Sequence, residues 1–527
     1  MTRDFHTPGR GPALASNAMA ATSHPAATLT ALDILRAGGT AMDAAVAAVA
    51  VLGVVEPQST GIGGDCFCLY APAGSGKVLA FNGSGRAGAA YGMDAFEAAG
   101  ISSFTETSPH TVTIPGACAA WEALLAAHGR LGLDAVLRPA IRLADEGVPV
   151  HPRVAHDWAE NGNKLRSTGA AAFLPVPAVG DRFAQPALAA TLRAVARHGA
   201  VAFYEGAIAA DMVATLRARG GWQTEADFAA GRAAVGFVEP IHTRWRGVDV
   251  WQCPPNGSGL LVLMLLRLIG EDAPPSDDPV DPVRLHRHLE AARLAYRDRN
   301  AFLADPAQAD VPVSHLTSAE YLDGLRALIR DDRCLALPPP GEVTAHKDTV
   351  TLSVVDRDGN ACSLINSLFH SFGSGILAAK SGVMLQNRGL GFRLQRGHPN
   401  CIAPNKRPLH TIIPGMVTRD GLVEMAYGVM GGNFQPMGQS LFLANRYAYG
   451  MDVQAAIDLP RVFANDDVTE VERGISLATI DRLSRLGHSV SRIASPHGGG
   501  QAVEVDRARG LLIGGSDPRK DGIALGY

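Results

Sequence analysis

The pattern of apolar residues changes at Thr349, and the fold has to accommodate that change. Before it, the chain reads mostly as helices. AATLTALDILRAGG (26–39) carries apolar residues at helical spacing and stops at Gly38-Gly39. Thr40, with Asp43 three residues on, has the form of an N-cap. TIPGACAAWEALLAAHGRLG and AVLRPAIRLADEG predict two more helices, and DPVRLHRHLEAARLAYRDRNAF a long one with an Arg-rich solvated side. CFCLYA and KVLAF read as strands after the glycine-rich turn Gly61–Asp65. From Thr349, TVTLSVVD alternates polar and apolar residues, Asp358-Gly359-Asn360 supplies a hairpin turn, and NACSLINSLF returns. Further strands (GVMLQN, LVEMAYGVM), a helix and a late strand (GLLIGGS) follow. This order lacks a βαβ rhythm, which favours stacked layers of helix and sheet over a doubly wound parallel sheet.

Composition removes several classes of function. A formal charge of −4 over 527 residues gives no reason to expect nucleic acid or an acidic membrane as partner. The seven cysteines are odd in number and scattered, and Cys66-x-Cys68 has no second pair to complete a zinc site. The N-terminus lacks the apolar core of a signal peptide, and the run Ala44–Val55 is shorter than the roughly 20 residues that span a bilayer, so a cytoplasmic location is expected. Gly83-Ser-Gly85-Arg-Ala-Gly88 fits G-x-G-x-x-G, but no βαβ unit or acidic strand end follows. His286 and His288 stand two apart on a helix, so they point to different faces and do not share an ion easily; a solvated face is expected there. No HExxH, Walker loop or G-x-S-x-G is present, and neither metal nor organic cofactor is expected.

What remains is Thr349 itself, which ends the Pro-rich, charged connector LPPPGEVTAHKD (337–348) and opens the hairpin. A threonine hydroxyl is a poor nucleophile without a base beside it. On its own, it is an ordinary start to a strand. The blocks around it say more: EPQSTGIGGD (56–65), TIPGACAAWEAL (113–124), RWRGVDVWQCPPNGSG (244–259), DTVTLSVVDRDGNA (348–361), FGSGI (372–376), SGVMLQN (381–387), PNKRPLHTIIP (404–414), GVMGGN (428–433) and GGSDPRKDGIALGY (514–527). In this order and spacing the chain resembles the gamma-glutamyltransferase family of N-terminal nucleophile hydrolases, nearly end to end.

The resemblance implies an α+β fold, a four-layer αββα sandwich made as a precursor that cuts itself between Asp348 and Thr349. Residues 1–348 become the large subunit and 349–527 the small one, both within one fold, and a homodimer of such heterodimers is left open. Thr349 is then the nucleophile and its freed α-amine, with a reference pKa of about 7.7–8.0, the base. Gly431 and Gly432 match the oxyanion-binding amides, and Ser367 the hydroxyl that supports the nucleophile. Where the family grips an α-ammonium with Asn, Gln and Asp, this chain has Phe369, Arg388 and Gly391. Where the family has the carboxylate-binding Ser-Ser pair, it has His410-Thr411, and Arg86 is the nearest match to the carboxylate-binding arginine. An ammonium would meet a cation without its counter-ion. The pattern is closer to the oxamate amidohydrolase and dicarboxylyl acylase branch, and implies hydrolysis of a small anionic amide. The alternatives are a gamma-glutamyltransferase or glutathione hydrolase, and an uncleaved scaffold homologue.

Overall fold

Alternation along the Thr349 hairpin divides its side chains between two interiors. In the computed structural model, which describes residues 9–336 and 349–527, the strands Val350–Val355 and Ala361–Ser367 are buried on both faces. Val350, Leu352, Val354, Cys362 and Leu364 pack with the helices Pro25–Arg36, Ala41–Val55 and Ala117–His128. Val355 and Ile365 face a second sheet, where they meet Met416, Ala426 and Val503. The polar positions, which a half-exposed strand would give to water, lie between the sheets. There the Ser353 hydroxyl donates to the Gln501 carbonyl (3.3 Å) and that of Ser363 to the Tyr427 carbonyl (2.7 Å). Thr351 lies against Gly428, where a Cβ would fall 2.0 Å from its Oγ1, so only glycine lets the sheets approach there.

Both sheets have seven antiparallel strands. The first runs Ile523–Gly526, Met19–Thr22, Val350–Val355, Ala361–Ser367, Asp65–Ala71, Leu79–Gly83, Gly236–Val238. The second runs Ala13–Ala15, Leu511–Ser516, Gly499–Asp506, Leu422–Met430, Gly415–Arg419, Val248–Gln252, Ile241–Trp245. On its outer face Val250, Val417, Met425 and Tyr427 pack with residues of the helices Gly259–Ile269 and Gln435–Tyr447. The result is helix, sheet, sheet, helix, as the α+β four-layer expectation has it. Strands from before and after residue 349 are neighbours in both sheets: Met19–Thr22 and Asp65–Ala71 bracket the hairpin. A backbone break ahead of Thr349 would leave these ladders intact.

One local expectation needs correction. The helix Pro282–Phe302 has no broad solvated side: Arg284, His286, His288, Glu290, Asp298 and Arg299 are all buried. Their charges are met by partners distant in sequence, such as Asn445 for Arg284 (2.5 Å) and Asn433 for Arg299 (2.9 Å). The Gly83–Gly88 stretch leaves the strand Leu79–Gly83 for irregular chain, in keeping with the lack of a βαβ unit in the sequence. Gly85 is needed for packing, since a Cβ there would sit 1.6 Å from the Ile114 carbonyl oxygen. Among the described residues no helix is long and apolar enough to cross a membrane, and all seven cysteines are free.

Candidate active site

Thr349 stands at the head of the strand Val350–Val355, fully buried, with its Oγ1 3.1 Å from Ser367 Oγ. Ser367 ends the partner strand, so the hairpin register brings the two hydroxyls together. Ser367 Oγ also accepts from the Phe369 N–H (2.9 Å) and lies 3.4 Å from an Arg388 Nη. With both lone pairs so engaged, its proton points to Thr349 Oγ1. Thr349 therefore accepts from Ser367. Asp348 lies outside the described residues.

Arg388 is the centre of the second group. It is wholly buried, donates to Thr411 Oγ1 (2.9 Å), and its guanidinium carbon sits 4.0 Å from the centre of the Phe369 ring. Its Nε has no hydrogen-bond partner among the described residues. Burial pushes Arg388 down, to about 9, while Asp65 acts the other way; it stays cationic at neutral pH. Phe369 holds φ 83°, a strained position for an aromatic residue. Thr349, Ser367, Phe369, Arg388 and Thr411 thus form one connected cluster.

The hydrogen bonds of His410 and Arg86 lead away from this cluster. His410 is fully buried against Asp65 (Nε2 to Oδ2, 3.0 Å), and its Nδ1 accepts from the Ile412 N–H (3.3 Å). That pairing makes it a neutral imidazole with the proton on Nε2. Arg86 turns to the Asn405 carbonyl (2.8 Å) and Asp305 (3.9 Å). Asp65, unmarked in the sequence beyond its place in GIGGD, is the buried hub: its Oδ1 accepts from the N–H of Gly85 (2.9 Å) and Gly116 (3.0 Å) and from Gln386 (2.9 Å).

Burial lowers His410 to about 4, with Arg388 adding to the effect and Asp65 opposing it. Its folded value lies below the unfolded one of about 6.5. The stability gained by keeping it neutral is therefore fully present above pH 6.5 and is lost as pH falls through about 4. The amount is on the order of 3 kcal/mol. Thermal unfolding followed from pH 7 to pH 4 should show a falling midpoint, and a His410→Gln variant should show a shallower fall. An equally steep fall in the variant would contradict this.

Gly431 and Gly432 follow the strand Leu422–Met430 and open the turn Gly432–Phe434 ahead of the helix Gln435–Tyr447. Gly431 has φ 122°, and a Cβ on it would meet Gly498 Cα at 2.8 Å. The first N–H groups of a helical turn lack intrahelical acceptors, which suits them to an oxyanion. Ser363 and Thr351 lie opposite Tyr427 and Gly428, so moving toward Thr349 on one sheet moves toward Met430 on the other. Thr349 and the Gly431-Gly432 turn share one end of the stacked sheets. Asn433 is pinned by Tyr296, whose hydroxyl donates to its carbonyl, and by Arg299 on its side chain.

A cleft of about 250 Å³ lies against this cluster, walled by Phe369, Gly391, Thr411 and Asn433. Arg299, Arg393 and His398 also line it, and among the described residues no Asp or Glu does. These three were not picked out from the sequence. Arg299 is hidden in the charged pattern of a helix, and the others lie in the loop after Phe392.

A family model described as Gamma-glutamyltranspeptidase matches residues 27–527. The chain is 35% identical over 524 residues to a glutathione hydrolase-like proenzyme, YwrD, of Bacillus subtilis, covering 96% of this chain and 98% of that one. It is 34% identical over 534 residues to the oxamate amidohydrolase proenzyme of Klebsiella pneumoniae, covering 98% and 99%. The crystal structure of cephalosporin acylase from Bacillus halodurans superposes with a TM-score of 0.92 at 36% identity, over 100% of this chain and 99% of that one.

Proposed function

The chain belongs to the gamma-glutamyltranspeptidase family and is a hydrolase of it; from that premise we propose that it hydrolyses small carboxylate-bearing amides, oxamate or a dicarboxylic monoamide, through an acyl-enzyme on Thr349. Cleavage between Asp348 and Thr349 comes first: the Thr349 hydroxyl attacks the Asp348 carbonyl, and water hydrolyses the resulting ester. The freed α-amine then takes the hydroxyl proton as Oγ1 attacks the substrate amide. The amide C–N bond breaks, the nitrogen leaves as ammonia or an amine carrying that proton, and water releases the acid. Gly431 and Gly432 would hold the oxyanion; losing one such donor typically costs about 10²–10³ in rate.

The observation that carries the substrate class is the cleft lining: two arginines and a histidine, no acidic side chain among the described residues, and a buried Arg388 behind Phe369. An α-ammonium finds no counter-ion there, whereas a carboxylate finds forked donors. The names of the relatives, oxamate amidohydrolase and glutathione hydrolase-like, span both classes of acyl group. A panel decides between them. Oxamate and glutaryl amides should turn over with kcat/KM at least ~100-fold above gamma-glutamyl anilide and glutathione, the scale of an unpaired charge in a desolvated site. The reverse order would make the enzyme a gamma-glutamyl hydrolase and overturn the proposal.

A further inference from the structure

Nearer the start of the helix that carries Arg299 to the cleft, four potential metal-ligating side chains meet. His286 and Glu290 stand one turn apart on the helix Pro282–Phe302, Cys334 follows the helix Ala319–Arg326, and His488 lies between the helix Leu477–Arg485 and the strand Val490–Arg492. One ligand atom from each falls within 4.8 Å of all the others. His286, Glu290 and His488 are buried and Cys334 partly so. The sequence pairs His286 with His288, which faces elsewhere and bonds the Arg284 carbonyl through Nδ1 (3.1 Å); the partner of His286 is instead the residue four on, joined by two distant ones.

We infer that His286 Nδ1, Glu290, Cys334 Sγ and His488 Nε2 form a tetrahedral site for a divalent transition metal, zinc by its donor set. Nitrogen, sulfur and oxygen at this mixture suit Zn²⁺ with bonds of about 2.0–2.3 Å, which puts neighbouring donors about 3.2–3.8 Å apart. The two imidazole nitrogens lie 2.8 Å from each other and separate by about half an ångström on closure, while the other donors, all within 4.8 Å of one another, adjust by no more than about 1.6 Å. The outer contacts are already those of ligating histidines: His286 Nε2 donates to the Arg330 carbonyl (2.6 Å), which leaves Nδ1 as the lone pair facing the cluster. His488 Nδ1 sits 3.2 Å from Thr469 Oγ1, a hydroxyl able to accept once the His488 proton moves from Nε2 to Nδ1. Glu290 is oriented by Arg293 (2.7 Å) and the Leu335 N–H (2.6 Å). Binding would release one proton, from the Cys334 thiol, and both imidazoles stay neutral. One thiolate and one carboxylate against a 2+ ion make the closed site electroneutral, so burial carries little desolvation cost. Three ligands precede Thr349 and one follows it. A bound ion therefore ties the segment that leads into residues 337–348 to the part of the chain beyond the proposed cut.

The test uses the full, untagged chain, stripped with a chelator under reducing conditions and titrated with Co²⁺, then Zn²⁺. One equivalent of Co²⁺ should bind, giving visible bands of tetrahedral intensity and a near-ultraviolet thiolate-to-cobalt band, both displaced by Zn²⁺. Cys334→Ser should lose the thiolate band, and His488→Gln should weaken Zn²⁺ binding by at least ~100-fold, beyond what outer contacts contribute. The wild-type thermal midpoint should rise with Zn²⁺. Absence of tetrahedral cobalt bands at one equivalent in the wild-type chain overturns the inference, whatever the variants do. So does a thiolate band that survives in Cys334→Ser.

Discussion

Replacing Thr349 with alanine is expected to leave a single chain of 55.1 kDa and to abolish turnover. One hydroxyl would serve twice, to cut the chain and then to carry the acyl group, so a single substitution that deletes it removes both activities. The loss of rate should be at least about 10⁴-fold, the scale seen when a nucleophile is deleted from a machinery that otherwise survives. Folding should not explain it. Thr349 gives Ser367 one acceptor at 3.1 Å, and losing such a hydrogen bond costs about 1 kcal/mol. The hairpin stays bracketed by Met19–Thr22 and Asp65–Ala71. Denaturing gels after long incubation, N-terminal sequencing of the wild-type small fragment and a thermal midpoint for the variant make the check. Thr349→Ser should still cut and turn over, more slowly. An alanine variant that yields a fragment beginning at residue 349, or that retains turnover, refutes the nucleophile assignment.

Thr349 and Ser367 are legible in the sequence through the family resemblance, and local pairing is what brings them together. Thr349 and Ser367 meet because a two-strand hairpin with its turn at Asp358-Gly359-Asn360 leaves little freedom in register. The Thr40–Asp43 cap was equally local, and the structure shows both of its reciprocal bonds. What failed depended on long-range burial. Charge along the helix Pro282–Phe302 reads as solvation, yet Arg299 and Glu290 find partners far along the chain, Asn433 and Cys334 among them. His410 occupies the place of a carboxylate-binding serine in the resemblance, yet its imidazole is turned inward to Asp65, 345 positions away in sequence. Alternation along TVTLSVVD correctly marked a strand but not its surroundings, because a hydroxyl paired to a carbonyl of the facing sheet is satisfied without water.

Arg388→Gln is expected to cut kcat/KM for carboxylate-bearing amides by about 10²–10³, the range that follows removal of a buried, hydrogen-bonded charge. The change puts back the uncharged residue type that the family resemblance assigns to this position. Arg388 reaches Thr349, the proposed nucleophile, through Ser367 (3.4 Å) and the cleft wall through Thr411 (2.9 Å) and Phe369 (4.0 Å). Loss of activity alone would therefore be ambiguous between a lost carboxylate partner and a loosened support for Ser367. The ratio of kcat/KM for an anionic amide to that for a neutral amide of equal size separates the two. If the guanidinium field selects the substrate, the ratio falls toward one; if Arg388 only braces Ser367 and Phe369, both substrates lose alike and the ratio stays. Arg388→Lys sharpens the distinction, because it keeps the charge but not the planar fork that serves Ser367 and Thr411 together. It should preserve the ratio while lowering both rates. An unchanged ratio in Arg388→Gln would leave Arg299 and Arg393 as the cleft's own source of selectivity, since they line it directly.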